Sequence, residues 1–226
     1  MSLKNNPFYL LRVSCSATRR EILSAAEEMS FLLDSTICSD AQNALVNPNK
    51  RLAAEMDWFI DVNSEIVKKI QTCIDNGTPI STDGLNSLSK LNATIYNLSL
   101  LDNHDPFEIG FYILDLDEQF SLLEAEDITN RINQNRSSAK LSDVQLYDVM
   151  SQLGRIREEI RQSVSEKLSG IDQEYYTELV TMLAEKCIDD DAYNDGMILS
   201  DVVDQYEIKY QSVIEHSTEQ IEEHIE

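Results

Sequence analysis

The side chains that most often bind metals or act as nucleophiles are few and scattered in this sequence. They are His104, His216, His224, Cys15, Cys38, Cys73 and Cys187. Zinc sites need clustered ligands of these types, and neither C-x-x-C nor H-E-x-x-H occurs. Residues 191–202 resemble a calcium loop in part, but Val202 stands where that loop requires a bidentate Glu. We therefore predict no metal site and interpret the cysteines as free, buried thiols.

Enzyme motifs and cofactor-binding loops are also missing from the sequence. None of the Gly-rich loops that bind phosphate occurs, and neither does the G-x-S-x-G turn of a nucleophilic serine. Asp and Glu are abundant, but most carboxylate pairs in a chain of net charge −23 lie on solvated surface. We predict no catalytic residue and no cofactor, with an enzyme built on an unrecognised carboxylate site as an alternative.

The excess negative charge is concentrated near the C-terminus. Of the 41 Asp and Glu residues, 16 lie in residues 172–226, together with only 2 Lys and no Arg. Nucleic acids and anionic membranes are bound mainly through Lys and Arg, so we exclude both as main partners. Because the sequence contains neither a run of 18 apolar residues nor a secretory signal, we expect a cytoplasmic protein.

Capping residues mark the predicted helix starts. The Asn-Pro and Asp-Pro pairs fit an N-cap followed by the first helical residue, where proline's missing N–H costs nothing. These pairs are Asn6-Pro7, Asn47-Pro48 and Asp105-Pro106, and the capping boxes are Thr18 with Glu21 and Ser142 with Gln145. With 6 Gly and 4 Pro the chain has few turn residues, and we predict an all-α fold.

Apolar residues recur at spacings of three and four over long stretches, as on one face of a helix. We expect helices over residues 18–34, 48–76, 85–101, 106–123, 141–169, 173–188 and from 197 to the chain end. The apolar content of residues 106–123 predicts the central core helix. The narrow seams of residues 141–169 and 197–226 are typical of long amphipathic helices with coiled-coil character.

Composition divides the chain into two parts. Residues 77–84 contain Gly77, Pro79 and Gly84, and we interpret them as a linker. The predicted organisation is a small helical domain over residues 1–76, whose last helix is extended, and an acidic helical bundle over residues 85–226.

Two stretches near the N-terminus share their residue order with one known family. The first is Asn6-Pro7-Phe8-Tyr9-Leu10-Leu11-Arg12-Val13, continued at Ala17-Thr18-Arg19-Arg20-Glu21-Ile22, and the second is Ala44-Leu45-Val46-Asn47-Pro48-Asn49-Lys50-Arg51-Leu52. In this order they resemble the J domain of the J-domain cochaperones. A capped helical bundle unrelated to that family is the alternative for residues 7–59, because capping signals recur in any helical protein.

The departures from the family are as informative as the match. The family's His-Pro-Asp tripeptide, in the loop after its second helix, triggers ATP hydrolysis by DnaK-type chaperones. The corresponding loop, expected at residues 34–39, contains neither His nor Pro, and Glu21, Glu27 and Glu28 make the preceding helix acidic. The resemblance therefore implies a J-like fold that docks a partner without stimulating a chaperone ATPase.

These observations predict a non-catalytic interaction or adaptor protein that binds another protein. The class of partner that the resemblance implies is a DnaK-type chaperone. The predicted partner-binding residues are Arg19, Arg20, Lys50, Arg51 and Trp58, with a place in the core as the alternative for Trp58. The alternative function is a structural helical protein that forms homo-oligomers through residues 141–226.

Overall fold

The computed structural model describes residues 3–101, 106–189, 207, 208, 210 and 211. In these residues the chain is helical and contains no strand, which confirms the all-α prediction. A 3₁₀ turn at Leu3–Asn5 precedes the α-helices, which are α1 (Pro7–Leu10), α2 (Arg19–Met29), α3 (Ser35–Val46), α4 (Pro48–Met56), α5 (Ser64–Asn76), α6 (Ser87–Leu100), α7 (Pro106–Ser121), α8 (Ala125–Ser138), α9 (Leu146–Ser169) and α10 (Gln173–Asp189). None of the helices in the described ranges is long and apolar enough to cross a membrane.

Most of the predicted helix starts are confirmed. Asn6 Oδ1 accepts a hydrogen bond from the N–H of Phe8 at 2.9 Å. Asn47 Oδ1 accepts from the N–H groups of Asn49 and Lys50, and both halves of the capping box at Thr18 are present. Helix α7 begins at Pro106, as predicted, whereas its predicted cap Asp105 lies outside the described residues.

The predicted capping box at Ser142 is wrong, because α9 begins only at Leu146. Side chains of α8 hold the preceding segment in a non-helical conformation. The side-chain amide of Asn133 both accepts from the N–H of Val144 (2.8 Å) and donates to its carbonyl oxygen (3.1 Å). The carbonyl of Ser142 accepts from Arg136.

The single helix predicted over residues 48–76 is two helices, α4 and α5, separated by residues 57–63. This break buries Trp58, Phe59 and Ile60. Asn and Ser side chains bind the carbonyl groups that a continuous helix would have paired internally. These bonds join Asn6 to Ala54 and Asp57, Asn92 to Met56 and Trp58, and both Asn86 and Ser89 to Ile60.

Residues 77–84, the predicted linker, are mostly exposed, but Ile80 anchors them to α6. Gly77 ends α5 with φ 65°, the left-handed conformation expected of a C-terminal glycine. Ile80 is buried, and its N–H and carbonyl oxygen both pair with the side-chain amide of Asn97, at 2.8 and 2.9 Å.

The chain divides into two compact units whose bounds differ from the predicted domains. The first consists of residues 1–100 and 118–156, and the second of residues 101–117 and 157–226. Residues 77–84 therefore lie within the first unit, because the bonds of Ile80 and Asn97 tie them to α6.

The most enclosed helix is α6 and not α7. Nearly every side chain of α6 from Leu88 to Leu98 is buried, including the polar residues Ser89, Asn92 and Thr94. Helix α7 buries one face, while Phe107 and Phe111 are exposed. The prediction of a central core helix at residues 106–123 is therefore wrong. Helix α6 contains more polar residues than α7, but its asparagines can be buried because their side chains donate to neighbouring backbone carbonyls.

Helix α9 has 24 residues and buries five of the seven residues of the predicted seam, Val149, Ile156, Ile160, Val164 and Leu168, whereas Leu153 is partly buried and Leu146 is exposed. Helix α10 agrees with the helix predicted over residues 173–188. In the second unit, α7 and α10 pack closely at Gly110, where an added Cβ would lie 2.5 Å from Leu179 Cδ1 and Met182 Cε. The helix predicted from residue 197 lies outside the described residues except for positions 207, 208, 210 and 211.

A polar cluster at the surface ties α1 to α5. Arg12 Nη2 lies 2.7 Å from Asp75 Oδ1, the Tyr9 hydroxyl donates to the same oxygen, and the Arg12 guanidinium stacks 4.3 Å from the centre of the Tyr9 ring. The hydrogen bond from Arg12, followed by that from Tyr9, lowers the pKa of Asp75 below its ordinary 3.8.

We expect Asp75→Asn to destabilise the protein in a pH-dependent way. Because the folded state lowers the pKa of Asp75, its carboxylate contributes stability above the unfolded value of 3.8, and this contribution is lost as the pH falls through the folded pKa. Urea unfolding of both proteins between pH 3 and 7 should give a difference in free energy of unfolding that is largest at pH 5–7 and shrinks below pH 4. A difference that stays constant over this range would contradict the assignment.

Candidate functional site

The structure places the five predicted partner-binding residues in two different environments. Arg19, Arg20 and Lys50 are exposed. Arg51 and Trp58 are each only 1% exposed, so neither offers a surface that a partner could contact. For these two residues the predicted contact role is therefore corrected to a role in the core.

Trp58 lies in the break between α4 and α5, where its ring packs among aromatic side chains. The centroid of Tyr9 lies 6.2 Å away, and that of Phe59 lies 5.2 Å away in an edge-on arrangement. The alternative interpretation of Trp58 as a core residue is the one that its burial supports.

Arg51 forms a buried ion pair with Glu55, one turn further along α4. Its Nε lies 2.9 Å from Glu55 Oε1, and its guanidinium carbon lies 5.5 Å from the centre of the Phe8 ring. The remaining N–H groups donate to the carbonyl oxygens of Cys15 (2.7 Å), Ala17 (3.3 Å) and Leu45 (3.3 Å). This single side chain therefore joins the start of α4 to the segment before α2 and to the end of α3.

A second buried arginine completes the group. Arg136 of α8 donates from Nε to Glu55 Oε2 at 2.9 Å, and its Nη2 lies 2.8 Å from the same oxygen. Its other bonds go to the carbonyl oxygens of Pro48 (3.1 Å) and Ser142 (3.3 Å). We call Arg51, Glu55 and Arg136 the charge cluster. Its i, i+4 pair is visible in the sequence, but Arg136 is 81 residues from Glu55 and no local pattern indicates it.

The charge cluster has the properties of a structural element. Both oxygens of Glu55 are occupied by guanidinium groups, and all three side chains are almost completely buried. The nearby Cys15 thiol is also buried, and desolvation, followed by the charge of Glu55, raises its pKa well above the ordinary value of 9.0. The cluster therefore supplies neither an accessible acid or base nor a reactive thiolate.

Cys15, Cys38 and Cys73 carry free thiols. Cys15 and Cys38 are buried, as predicted, whereas Cys73 is only partly buried. Among the side chains that the structure describes in residues 3–101, 106–172 and 174–183, no three His, Cys, Asp or Glu come together as metal ligands would. The three histidines and the calcium-like stretch fall outside the described residues.

Three exposed cations share one end of the N-terminal helices. The bonds from Arg51 to Cys15 and Ala17 hold the start of α4 next to the segment that leads into α2. Arg19 and Arg20 follow within three residues of Ala17, and Lys50 immediately precedes Arg51. We call Arg19, Arg20 and Lys50 the basic end.

The opposite end of α2 differs from the sequence prediction. Helix α2 ends at Met29 and not near residue 34, and residues 35–39, predicted as a loop, form the start of α3. The connection is therefore Ser30 to Asp34, and Asp34 caps α3 by accepting from the N–H of Thr36 at 2.7 Å. We call residues 30–37 the α2–α3 tip. It exposes Phe31 and Leu32 almost fully, at 88% and 78%, and no sequence pattern predicted this exposure.

Comparison with known proteins gives no relative. No family model matches the chain, and no curated protein or solved structure is significantly similar to it.

We expect Arg136→Met to lower the free energy of unfolding by about 3–5 kcal/mol, because it leaves the Glu55 carboxylate and two carbonyl groups buried with fewer partners. Arg157→Met is the matched control, since Arg157 is an exposed arginine within a helix. The control should change the free energy of unfolding by less than about 0.5 kcal/mol in urea denaturation.

A double-mutant cycle with Glu55→Leu tests whether the cluster acts as a unit. The double variant should be destabilised by less than the sum of the two single variants, with a coupling of about 0.5–3 kcal/mol. Strictly additive effects would show that Glu55 and Arg136 contribute independently.

Proposed function

We propose that the chain is a non-catalytic interaction protein whose N-terminal region, residues 7–60, docks a protein partner. The order of helices α1 to α4 supports this proposal. Helix α3 packs against α1, α2 and α4, and the turn between α3 and α4 consists of the single residue Asn47. This arrangement is compatible with the J-like fold that the sequence resemblance implies, and a DnaK-type ATPase is the partner class that follows from the resemblance.

The proposal includes binding without stimulation of ATP hydrolysis. The connection between α2 and α3 reads Ser30-Phe31-Leu32-Leu33-Asp34 and lacks the tripeptide through which the family acts. The connection therefore offers neither an imidazole nor a proline at this position. Its two most exposed residues, Phe31 and Leu32, are apolar.

The observation that carries the proposal is the basic end. Arg19, Arg20 and Lys50 are exposed, and the bonds of Arg51 bring the segments that carry them together. Lys and Arg side chains grouped on one surface favour an acidic partner surface and speed the encounter with it. In a chain of net charge −23 this basic group is a local exception to the overall charge.

The charge-reversal variant Arg19→Glu/Arg20→Glu tests the docking surface. Glu at the first turn of α2 interacts favourably with the helix dipole, so the variant should remain folded. Wild type should bind a purified DnaK-type ATPase while changing its single-turnover ATP hydrolysis less than twofold, and the variant should bind at least tenfold more weakly. The matched control is Lys68→Glu/Lys69→Glu, a pair of neighbouring exposed cations on α5, and it should bind within twofold of wild type.

Two results would contradict the proposal. Stimulation of hydrolysis by wild type would show an active cochaperone, and equal binding by both charge-reversal variants would remove the basic end as the docking surface. Failure of the wild type to bind would exclude this partner class.

The second candidate function is self-assembly through residues 141–226. It is favoured by the first two turns of α9, where Leu146, Tyr147 and Met150 are exposed. Light scattering at high micromolar concentration should then show an oligomer that Tyr147→Ser/Met150→Ser weakens. A strict monomer would exclude this function.

A further inference from the structure

The α2–α3 tip carries an apolar surface in the first unit. Phe31 and Leu32 are 88% and 78% exposed, Ile37 in the first turn of α3 is 45% exposed, and Leu23 of α2 is also exposed. Single exposed apolar residues are common on protein surfaces, but a contiguous group marks an interaction site more often. Phe31 and Leu32 are adjacent in the chain, and Ile37 lies only five residues further on.

The backbone of the tip is fixed by hydrogen bonds. The N–H groups of Phe31 and Leu32 donate to the carbonyl oxygens of Glu28 and Met29, at 3.3 and 2.9 Å. The Ser30 hydroxyl donates to Glu27, and Asp34 caps α3. The apolar side chains are thus presented from an ordered backbone, which reduces the conformational entropy that binding would cost.

The charge around the tip has a single sign. Residues 21–46 contain no Lys or Arg, and their five acidic residues are all exposed. These are Glu21, Glu27, Glu28, Asp34 and Asp40. Glu27 and Glu28 lie within four residues of Phe31, so any surface that covers Phe31 must also accommodate carboxylates.

The combination of exposed apolar side chains with exposed carboxylates excludes several kinds of binding partner. A second copy of the tip would bring the carboxylates of its own Glu27, Glu28 and Asp34 against these same residues, and like charges facing each other across an interface disfavour association. Nucleic acids and anionic membranes are excluded for the same reason. A partner that is apolar at the centre and basic at the rim satisfies both the exposed side chains and the carboxylates.

The exposed apolar residues lie along α2 and directly beyond its end. Leu23 and Glu27 are four residues apart and lie on one face of α2, which ends at Met29, and Phe31 follows two residues after that end. An amphipathic helix that packs against α2 and the α2–α3 tip would contact Leu23, Phe31 and Leu32, with its Lys or Arg residues reaching the flanking carboxylates.

We propose that the α2–α3 tip binds a basic amphipathic helix of a partner protein. This proposal rests on the proposed function in that both assign docking to the N-terminal region, but it uses a different surface and a partner of opposite charge. The two are separable in experiment, because the tip can be tested without any ATPase.

The probe is an 18-residue amphipathic helical peptide of Leu and Lys carrying a fluorophore. Its binding to the full chain is measured by fluorescence anisotropy at low and high salt. Wild type should bind it, and binding should weaken as the salt concentration rises. The control peptide, which has Glu in place of every Lys, should bind at least tenfold more weakly, since it places carboxylates against carboxylates.

The deciding variant is Phe31→Ser/Leu32→Ser, which keeps every charge of the protein. It should weaken binding of the Lys peptide at least tenfold. The matched control is Phe111→Ser/Leu122→Ser, since these residues are a Phe and a Leu that are 64% and 57% exposed elsewhere in the chain. The control should bind within twofold of wild type. Circular dichroism should show unchanged helix content for both variants, because all four side chains are exposed.

A second variant tests the carboxylates that lie next to Phe31 in the chain. Glu27→Gln/Glu28→Gln should weaken binding several-fold and reduce its dependence on salt. The proposal is overturned if Phe31→Ser/Leu32→Ser binds the Lys peptide as wild type does, since attraction to the net charge alone would then explain binding. It is also overturned if the Glu peptide binds equally well, or if light scattering shows self-association that the same double substitution abolishes.

Discussion

A carboxylate held between two guanidinium groups in the protein interior is the interaction on which the first unit depends. Transferring three ionised side chains out of water costs several kcal/mol for each, and attraction offsets this cost only when every donor and acceptor is satisfied. Arg51 and Arg136 meet this condition by adding five backbone carbonyl groups to their bonds with Glu55. A helix shifted by one residue would leave some of these groups unpaired, so the cluster fixes how α4 and α8 lie against each other.

Asparagine side chains provide a second constraint, at the places where helices stop. The segments after α4, after α5 and before α9 are non-helical, yet each contains buried residues, Trp58, Ile80 and Val144 among them, whose backbone groups need partners. Asn92 binds the carbonyls of the first segment, whereas Asn97 and Asn133 pair with both backbone groups of one residue in the other two. Buried polar residues therefore do much to determine the path of the chain between helices.

These two features also explain how far the sequence could predict the structure. Caps at Asn6, Thr18 and Asn47 depend on neighbouring residues, and they were predicted correctly. The break after Met56 was missed because apolar residues continue at helical spacing through Phe59 to Ile74, and the asparagines that stabilise the break are remote in sequence. For the same reason Arg51 was taken for a surface cation, since its burial depends on Arg136, which shares Glu55 with it, and on carbonyl groups from two other segments. The exposure of Phe31 was missed because apolar character alone indicates burial.

The charge cluster also limits how this region can be inherited. Its carboxylate comes from α4, but one of its two cations comes from α8, so a gene fragment that encodes only the first 60 residues would leave Glu55 with half of its counterions. N-terminal helices transferred to another protein without α8 would therefore lose one of the two ion pairs that stabilise the buried Glu55. The N-terminal helices are therefore part of a larger structural unit that includes Arg136.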